Sequence, residues 1–207
     1  MKILIADDHS VVRKGLITIL LDEFSSAEID ESADAHELIE KAQNGTYDVI
    51  ISDINMPGPS IIDAIKSIKN SPNKGPILIL SVNAPEQYAV RVIKAGASGY
   101  LTKESAPEEL VVAIKHVLSG RKYITAEVAE LLADAHDNDS EARHNQLSNR
   151  EFEVMRWIAS GKTVSEIGEI MHLSTNTIST YRTRILLKMN MNTNAELTSY
   201  AIKNNLA

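Results

Sequence analysis

Over its first 120 residues the chain alternates between two hydrophobic patterns. Short β-branched runs occupy Lys2–Asp7, Asp48–Asp53, Pro76–Val82 and Gly99–Thr102, with a weaker run near Ala27–Glu31. Between them, apolar residues recur at helical spacing over Ser10–Phe24, Asp34–Asn44, Ile61–Asn70, Glu86–Ala95 and Pro107–Leu118. Strands that alternate with amphipathic helices bury both faces of a sheet under the helices. Five of each predict a doubly wound α/β fold around a five-stranded parallel sheet. Ser105-Ala106-Pro107-Glu108 reads as an N-cap with its reciprocal glutamate, opening the fifth helix.

After residue 120 the pattern changes. The stretch from Asp134 to Asn145 is polar and charged without apolar period, and reads as a linker or a frayed helix end. Residues 121–145 are expected to join two domains, 1–120 and 146–207. The second is expected to be wholly helical. Capping-box patterns at Ser148…Glu151, Thr163…Glu166 and Thr193…Glu196, a fourth N-cap at Ser174 and a helix-ending Gly161 divide it into four helices. Two of these, Thr163–Met171 and Thr175–Asn190, are joined only by His172-Leu173-Ser174. That short connection predicts a helix-turn-helix at about 164–183.

Composition narrows the setting. A chain of 207 residues with 43% hydrophobic content can fill a core. The absence of cysteine removes disulfides and thiolate zinc sites. No apolar stretch approaches membrane-spanning length and the N-terminus lacks a signal-peptide layout, so a cytoplasmic protein with no membrane partner is expected. The six histidines form no metal constellation: His9 follows Asp7-Asp8, the rest are scattered, and all read as surface or core residues. The net charge of −7 conceals an asymmetry. Residues 1–120 hold 11 basic and 17 acidic side chains, residues 121–145 hold 3 and 6, and residues 146–207 hold 7 and 5. Only the helical tail leans basic, which permits contact with nucleic acid without proving it.

Three of the buried-type runs stop on charged groups. Asp7 and Asp8 end the first, Asp53 ends another and Lys103 follows the last, while Ser81 closes the run before it. In doubly wound sheets ligands sit beyond the carboxyl ends of the strands, where strand order reverses. If the first and third strands are neighbours, all these groups share one crevice. Clustered carboxylates repel, and a hard divalent cation, Mg²⁺, relieves them. Asp7 and Asp8 would hold the ion and Asp53 would attack phosphorus. The cation and Lys103 would neutralise the phosphoryl oxygens, and Ser81 would bond one of them. Taken singly, each residue has an ordinary reading: a helix N-cap for the acidic pair, a turn aspartate for Asp53, a surface lysine for Lys103. Their joint placement at strand ends favours the site.

These residues carry a resemblance. Ile5-Ala6-Asp7-Asp8-His9, Ser52-Asp53-Ile54-Asn55-Met56-Pro57, Leu80-Ser81, Ala95-Gly96-Ala97 and Gly99-Tyr100-Leu101-Thr102-Lys103 make residues 1–120 resemble the receiver domain of bacterial two-component response regulators. The resemblance implies a flavodoxin-like strand order of 2-1-3-4-5, Asp53 as phosphoacceptor and a sensor histidine kinase as donor. It implies that Asp8, Asp53 and the Asn55 backbone carbonyl ligate Mg²⁺, with Asp7 acting largely through water. It also makes Ser81 and Tyr100 a switch pair: Ser81 moves to the phosphoryl group, the Tyr100 ring turns inward, and the repacked surface favours a homodimer. One departure stands out. Ile61 occupies the position where the family usually has glycine, which predicts a different path for the loop after Asp53.

Residues 146–207 resemble the LuxR-type DNA-binding domain of the NarL/FixJ regulators. The resemblance rests on Leu147-Ser148-Asn149-Arg150-Glu151, Glu153-Val154, Ala159-Ser160-Gly161, Glu166-Ile167-Gly168, Leu173-Ser174, Thr177-Ile178 and Lys188-Met189. The run Ile178-Ser179-Thr180-Tyr181-Arg182-Thr183-Arg184 and the ending Asn204-Asn205-Leu206-Ala207 look like the BvgA/EvgA subgroup. Ser179 and Tyr181 stand where most of the family has lysine and histidine, so the contacts made there must differ. Helical geometry turns Ile178, Ile185 and Met189 toward a core and Asn176, Thr180, Thr183 and Leu187 outward. Asn176, Thr180 and Thr183 become candidate readers of double-stranded promoter DNA, with Arg182, Arg184 and Lys188 toward phosphates. So few cations predict weak binding by one tail and dimeric binding to repeated half-sites.

Two other function classes compete. A Mg²⁺-dependent phosphohydrolase with an aspartyl nucleophile would need a second aspartate two residues beyond the nucleophile in the first-strand motif, and Asp7-Asp8-His9 lacks that spacing. A receiver acting by protein contact alone would not need the helix-turn-helix. The sequence therefore predicts a phosphorylation-controlled transcriptional regulator that catalyses only its own phosphoryl transfer and slow dephosphorylation.

Overall fold

Strands β1 (Lys2–Ala6), β2 (Glu28–Ser32), β3 (Val49–Asp53), β4 (Ile77–Ser81) and β5 (Gly99–Thr102) form where the β-branched runs fall. The computed structural model describes residues 1–72, 75–137 and 143–206. All four strand pairings are parallel, in the order β2-β1-β3-β4-β5. Helices α1 (Ser10–Glu23), α2 (Ala35–Asn44), α3 (Ile61–Lys69), α4 (Pro85–Ala95) and α5 (Ala106–Leu118) connect them. β1, β3 and β4 are apolar on both faces because helices cover both. Ile3, Ile5, Val49, Ile51, Leu78 and Leu80 face Leu16 and Leu20 of α1 and Leu110, Ala113 and Ile114 of α5 in one continuous core. β2 is an edge strand. Glu28, Ile29, Asp30 and Glu31 stay open to solvent to varying degrees, which is why its sequence signal is weak.

α5 begins without the expected cap. The Ser105 backbone is already helical, and its hydroxyl donates to the Thr102 carbonyl at 3.3 Å. The Glu108 amide, which the cap would have served, donates to the Ser105 carbonyl at 3.1 Å. The first half of the segment expected as linker is also ordered differently. The Tyr123 amide donates to the Ser98 carbonyl at 2.8 Å, extending the edge of β5. Helix α6 (Ala126–Asp137) then starts on Thr125, whose hydroxyl accepts from the Val128 amide at 3.3 Å, and Val128 is buried. Tyr123 and Val128 supply apolar anchors that the chain after Asp134 lacks. Residues 138–142 of the expected linker, and the terminal Ala207, lie outside the described residues. Chain contacts divide the protein into two compact units, Met1–Leu131 and Leu132–Ala207.

The second unit holds a 3₁₀ turn (Arg143–Gln146) and helices α7 (Asn149–Ala159), α8 (Val164–Met171), α9 (Thr175–Met189) and α10 (Asn194–Lys203). The capping boxes at Ser148/Glu151 and Thr163/Glu166 form in both directions. At α10 the exchange is shifted: Thr193 accepts from the Glu196 amide, but the Glu196 carboxylate takes the Asn192 amide at 2.7 Å. Ser174 caps α9 by accepting from the Thr177 amide. Phe152, Val154, Met155, Ile167, Ile178, Ile185, Met189 and Leu197 are buried together as the core of this unit.

The turn between α8 and α9 is tight enough to exclude a side chain. His172 takes the left-handed conformation at φ 53°, and the Leu173 amide donates back to the Gly168 carbonyl at 2.8 Å. A Cβ on Gly168 would lie 2.8 Å from the Leu173 carbonyl oxygen, a backbone atom that cannot step aside. Gly168→Ala should therefore destabilise the helical unit by about 1–3 kcal/mol. Urea unfolding followed by the fluorescence of the single tryptophan, Trp157 in α7, reads this directly; an unchanged midpoint would contradict the packing.

Candidate functional site

Register assembles the acidic site. β1 and β3 are neighbours with Ala6 opposite Ser52, so Asp7 and Asp53 leave the sheet side by side. Asp53 lies opposite Leu80 on β4, and Ser81 lies opposite Thr102 on β5. The next amide, that of Lys103, donates to the Ser81 carbonyl at 2.7 Å. Five residues predicted from four separate runs thus converge at the carboxyl edge of three central strands and β5. Arg13 on α1 braces the first loop, donating to the Asp7 carbonyl at 2.6 Å and to Glu31 at 2.7 Å.

One ammonium serves two buried carboxylates. Lys103 Nζ lies 2.6 Å from Asp7 Oδ2 and 3.2 Å from Asp53 Oδ1. Asp7 and Asp53 are 1% and 3% exposed. Burial pushes the Asp53 carboxyl up to about 6, and the neighbouring Asp7 adds to the rise against the attraction of Lys103. Burial also works against the Lys103 ammonium, but the bond to Asp7 and the charge of Asp53 outweigh it and leave its pKa raised. Asp53 Oδ2 accepts from the Asn55 amide at 3.3 Å. Asp53 Oδ1 is buried and accepts no hydrogen bond of standard geometry, with the Lys103 ammonium approaching it at 3.2 Å. A buried carboxylate oxygen in that condition has capacity for a further hard positive partner.

Asp8 is exposed beside this pair. His9, which follows the acidic pair in sequence but was expected to be an ordinary surface or core residue, joins the cluster. Its amide donates to Asp7 Oδ1 at 2.8 Å, and its ring Nδ1 lies 2.7 Å from Asp8 Oδ1 and 3.3 Å from Asp7 Oδ1. Adjacency to the acidic pair was the available signal. The carboxylates of Asp7, Asp8 and Asp53 are oxygen donors of the kind Mg²⁺ prefers, so the residues present fit that ion.

Ser81 is fully buried, and its hydroxyl oxygen accepts from the Asn83 amide at 2.9 Å and the Asn83 side-chain amide at 3.1 Å. Tyr100 is 1% exposed, its ring already inside, and its hydroxyl donates to the Asn83 carbonyl at 2.8 Å. Asn83, unnoticed in the sequence, therefore links Ser81 to Tyr100. A cavity of about 460 Å³, lined in part by Ser81, Thr102, Lys103, Glu104 and Glu127, opens beside these groups. The loop after Asp53 turns at Gly58, at φ 102°, and the Pro57 carbonyl accepts from the Ala35 amide at 2.9 Å. Ser60 then caps α3 and Ile61 is buried as its first residue. Gly58 provides the left-handed turn three residues before Ile61, which explains how the loop closes without glycine there.

In the helical unit α9 buries Ile178, Ile185 and Met189 and exposes Asn176, Ser179, Thr180, Thr183, Arg184 and Leu187, as the periodicity predicts. The Thr180 and Thr183 hydroxyls donate to the Asn176 and Ser179 carbonyls at 2.9 and 3.0 Å. Tyr181 is half-buried on the flank. Two of the predicted phosphate contacts are placed differently. Arg182 Nε donates to Asn194 Oδ1 at 2.7 Å, because about 100° per residue sets it within about 20° of Met189, toward α10. Lys188 Nζ lies 2.6 Å from Glu151 Oε2 on α7.

A parallel sheet ending in an acidic, lysine-bridged crevice, followed by a helix-turn-helix unit, defines a receiver with a DNA-binding type of output. Residues 3–115 match the response regulator receiver domain, and residues 145–201 match the bacterial regulatory proteins of the luxR family. The chain belongs to the NarL/FixJ family of two-component response regulators, whose output is DNA-binding transcriptional regulation. The response regulator UvrY of Escherichia coli K12 is 34% identical over 208 residues, covering 100% of this chain and 95% of that protein. The oxygen regulatory protein NreC of Staphylococcus carnosus is 35% identical over 214 residues, covering 100% and 99%. The structure of RcsB from Salmonella enterica serovar Typhimurium bound to promoter rprA with the phosphomimetic BeF3− matches with a TM-score of 0.64 at 27% identity, covering 97% of each chain. Among the described residues no helix is long and apolar enough to cross a membrane.

The raised Asp53 pKa has a stability consequence. A carboxyl whose folded pKa lies above its unfolded one stabilises the fold below the unfolded value and loses that contribution as pH rises through the folded value, here about 6. In buffer without divalent ions at pH 8, Asp53→Asn should raise unfolding stability by up to about 3 kcal/mol, two pKa units' worth. It should also flatten the pH dependence between about 4 and 6. Urea titrations by circular dichroism across that window check it; equal stability of the two proteins at pH 8 would contradict it.

Proposed function

We propose that Asp53 is the phosphoacceptor and that a sensor histidine kinase supplies the phosphoryl group. The observation that carries this reading is the buried, unbonded Asp53 Oδ1 set beside Lys103 and Asp7 at the carboxyl ends of β3, β5 and β1. A carboxylate oxygen of Asp53 attacks phosphorus. The new O–P bond forms as the P–N bond of the kinase phosphohistidine breaks, and the imidazole takes up a proton as it leaves. Lys103 holds Asp7 and meets the charge that gathers on the phosphoryl oxygens. Asp7, Asp8, Asp53 and the Asn55 carbonyl would hold Mg²⁺, which supplies Lewis-acid neutralisation of those oxygens. The Ser81 oxygen accepts two bonds from Asn83, so its own proton remains to be donated to the phosphoryl group. Turning Ser81 releases Asn83, and Asn83 holds the Tyr100 hydroxyl. The protein acts on itself alone, through its own phosphorylation and slow dephosphorylation.

The output is binding of promoter DNA, with residues 1–120 as receiver, 121–145 as linker and 146–207 as the DNA-binding domain. Asn176, Ser179, Thr180 and Thr183 present the readable face, and Arg184 reaches phosphate beside it. Structures of RcsB include two dimers bound to two parallel DNAs, and phosphorylation of this chain is proposed to favour a homodimer in the same way. Kinase, cation and promoter would meet in the cytoplasm.

Incubation with acetyl phosphate and Mg²⁺ should add about 80 Da, one phosphoryl group, to the intact protein. Asp53→Asn should add none. On duplexes selected from a random pool, the phosphorylated wild type should bind at least about tenfold tighter than Asp53→Asn, a coupling of about 1.4 kcal/mol. Identical binding with and without phosphodonor would remove the switch.

A further inference from the structure

The cations of the helical unit are mostly spent on the unit itself. Arg182 serves Asn194, Arg156 donates to the Leu206 carbonyl at 3.0 Å, and Arg150 pairs with Glu153 at 2.6 Å. Lys188 shows this most sharply. Its ammonium lies 2.6 Å from Glu151 Oε2, the same oxygen that accepts the Ser148 amide at 2.8 Å in the capping box of α7. The Glu151 side chain is only 4% exposed, whereas that of Lys188 is 40% exposed. Burial works against the Glu151 charge, but the Lys188 and Ser148 bonds outweigh it and hold its pKa below the usual carboxylate range. A buried carboxylate that keeps its charge depends on its partner, because removal of one member leaves the other uncompensated.

The location gives this pair a role beyond stability. Lys188 lies in the last turn of α9, one residue before the buried Met189. The Arg143 guanidinium donates to the Met189 carbonyl at 3.3 Å at the same helix end. On the wheel of α9, Lys188 falls about 80° from the core residue Ile178 and about 110° from the middle of the Asn176–Thr180–Thr183 face. A peg at that angle resists rotation of the helix about its own axis. Such rotation would carry the exposed side chains away from the base edges. Among the described residues Arg184 is the α9 cation with no partner inside the protein, and it stands on the groove side of Lys188.

We infer that Glu151 and Lys188 are positioning residues that set the rotation of the recognition helix α9 on α7, and that Lys188 is not a phosphate contact. This rests on the DNA-binding reading and assigns Lys188 a different task within it.

The test compares full-length wild type, Glu151→Gln, Lys188→Met and the double variant on a selected duplex and on its scrambled sequence, from low to high salt. Each single variant should lower the preference for the selected duplex about tenfold, and the double variant should lose no more than either single. The slope of log affinity against log salt should stay at the wild-type value. A slope lowered by about 1 in Lys188→Met would show a phosphate contact and overturn the inference. Tighter binding by Glu151→Gln would also overturn it, since Glu151 would then be withholding Lys188 from DNA. Unchanged preference, or additive losses, would do the same. Should Glu151→Gln fail to fold, Glu151→Asp keeps the charge, shortens the reach and should reduce preference without changing the salt slope. If the wild type prefers no sequence, the DNA reading fails on its own terms. A double-mutant cycle in urea unfolding, read by Trp157 fluorescence, then decides whether the pair is coupled, and additivity there overturns the inference.

Discussion

The receiver unit depends on one ammonium shared between two buried carboxylates. Without Lys103, Asp7 and Asp53 would face one another in a medium where repulsion is barely screened. With it, the pair is held in an incompletely satisfied state. Asp7 receives Lys103 and the His9 amide in hydrogen bonds, but Asp53 Oδ1 keeps the longer 3.2 Å ion pair with Lys103 alone. The fold thus maintains a carboxylate whose ionised form it disfavours. A group that gains a covalent bond and new partners relieves that condition, so reactivity and strain have the same origin. The surrounding β-sheet makes the arrangement possible. β1, β3 and β4 are apolar along their length, and only a well-packed sheet can hold like charges at its edge.

The helical unit solves the opposite electrostatic problem. It must present positive charge to a polyanion with few cations, and it commits several of them internally. Arg182, Arg184 and Lys188 sit within the last two turns of α9 but at different angles around it, and two are bound into the unit while one is not. Affinity for DNA from one such unit therefore cannot rest on charge alone. On the proposed reading it would rest on two copies, on the fit of Asn176, Thr180 and Thr183 to base edges, and on keeping α9 at a fixed rotation.

Much of this was legible in sequence because periodicity and strand-end charges are local. β1, β3, β4 and β5 are apolar runs that stop on Asp7, Asp53, Ser81 and Lys103, and parallel pairing at matched register brings those ends together without further information. The buried stripe of Ile178, Ile185 and Met189 follows from helical spacing alone. What was not legible depends on partners distant in sequence. Lys188 reads as an outward cation until α7 brings Glu151 against it, across 37 positions. Arg182 likewise waits on Asn194 of α10. The Ser105 cap failed for a local reason of a subtler kind, since the backbone was already helical there and the Thr102 carbonyl took its hydroxyl. Helix α6 does carry a helical period, in Val128, Leu131, Leu132 and Ala135, but that period is short and runs straight into the polar stretch after Asp134, so the whole of 121–145 read as linker.

The position of Tyr100 bears on how hard the switch must work. Its ring is buried and its hydroxyl is held by the Asn83 carbonyl, while Asn83 is itself tied to Ser81. An inward ring is thus compatible with an Asp53 that carries no phosphoryl group. In the proposed switch a phosphoryl group would exchange two neutral bonds between Asn83 and Ser81 for one charge-assisted bond from Ser81, an exchange in which the stronger single bond approximately offsets the two lost. On that proposal the remaining bias comes from charge, because the phosphoryl group would draw on Lys103, the ammonium that holds Asp7, and signal strength would depend on how one lysine divides itself among three acidic groups.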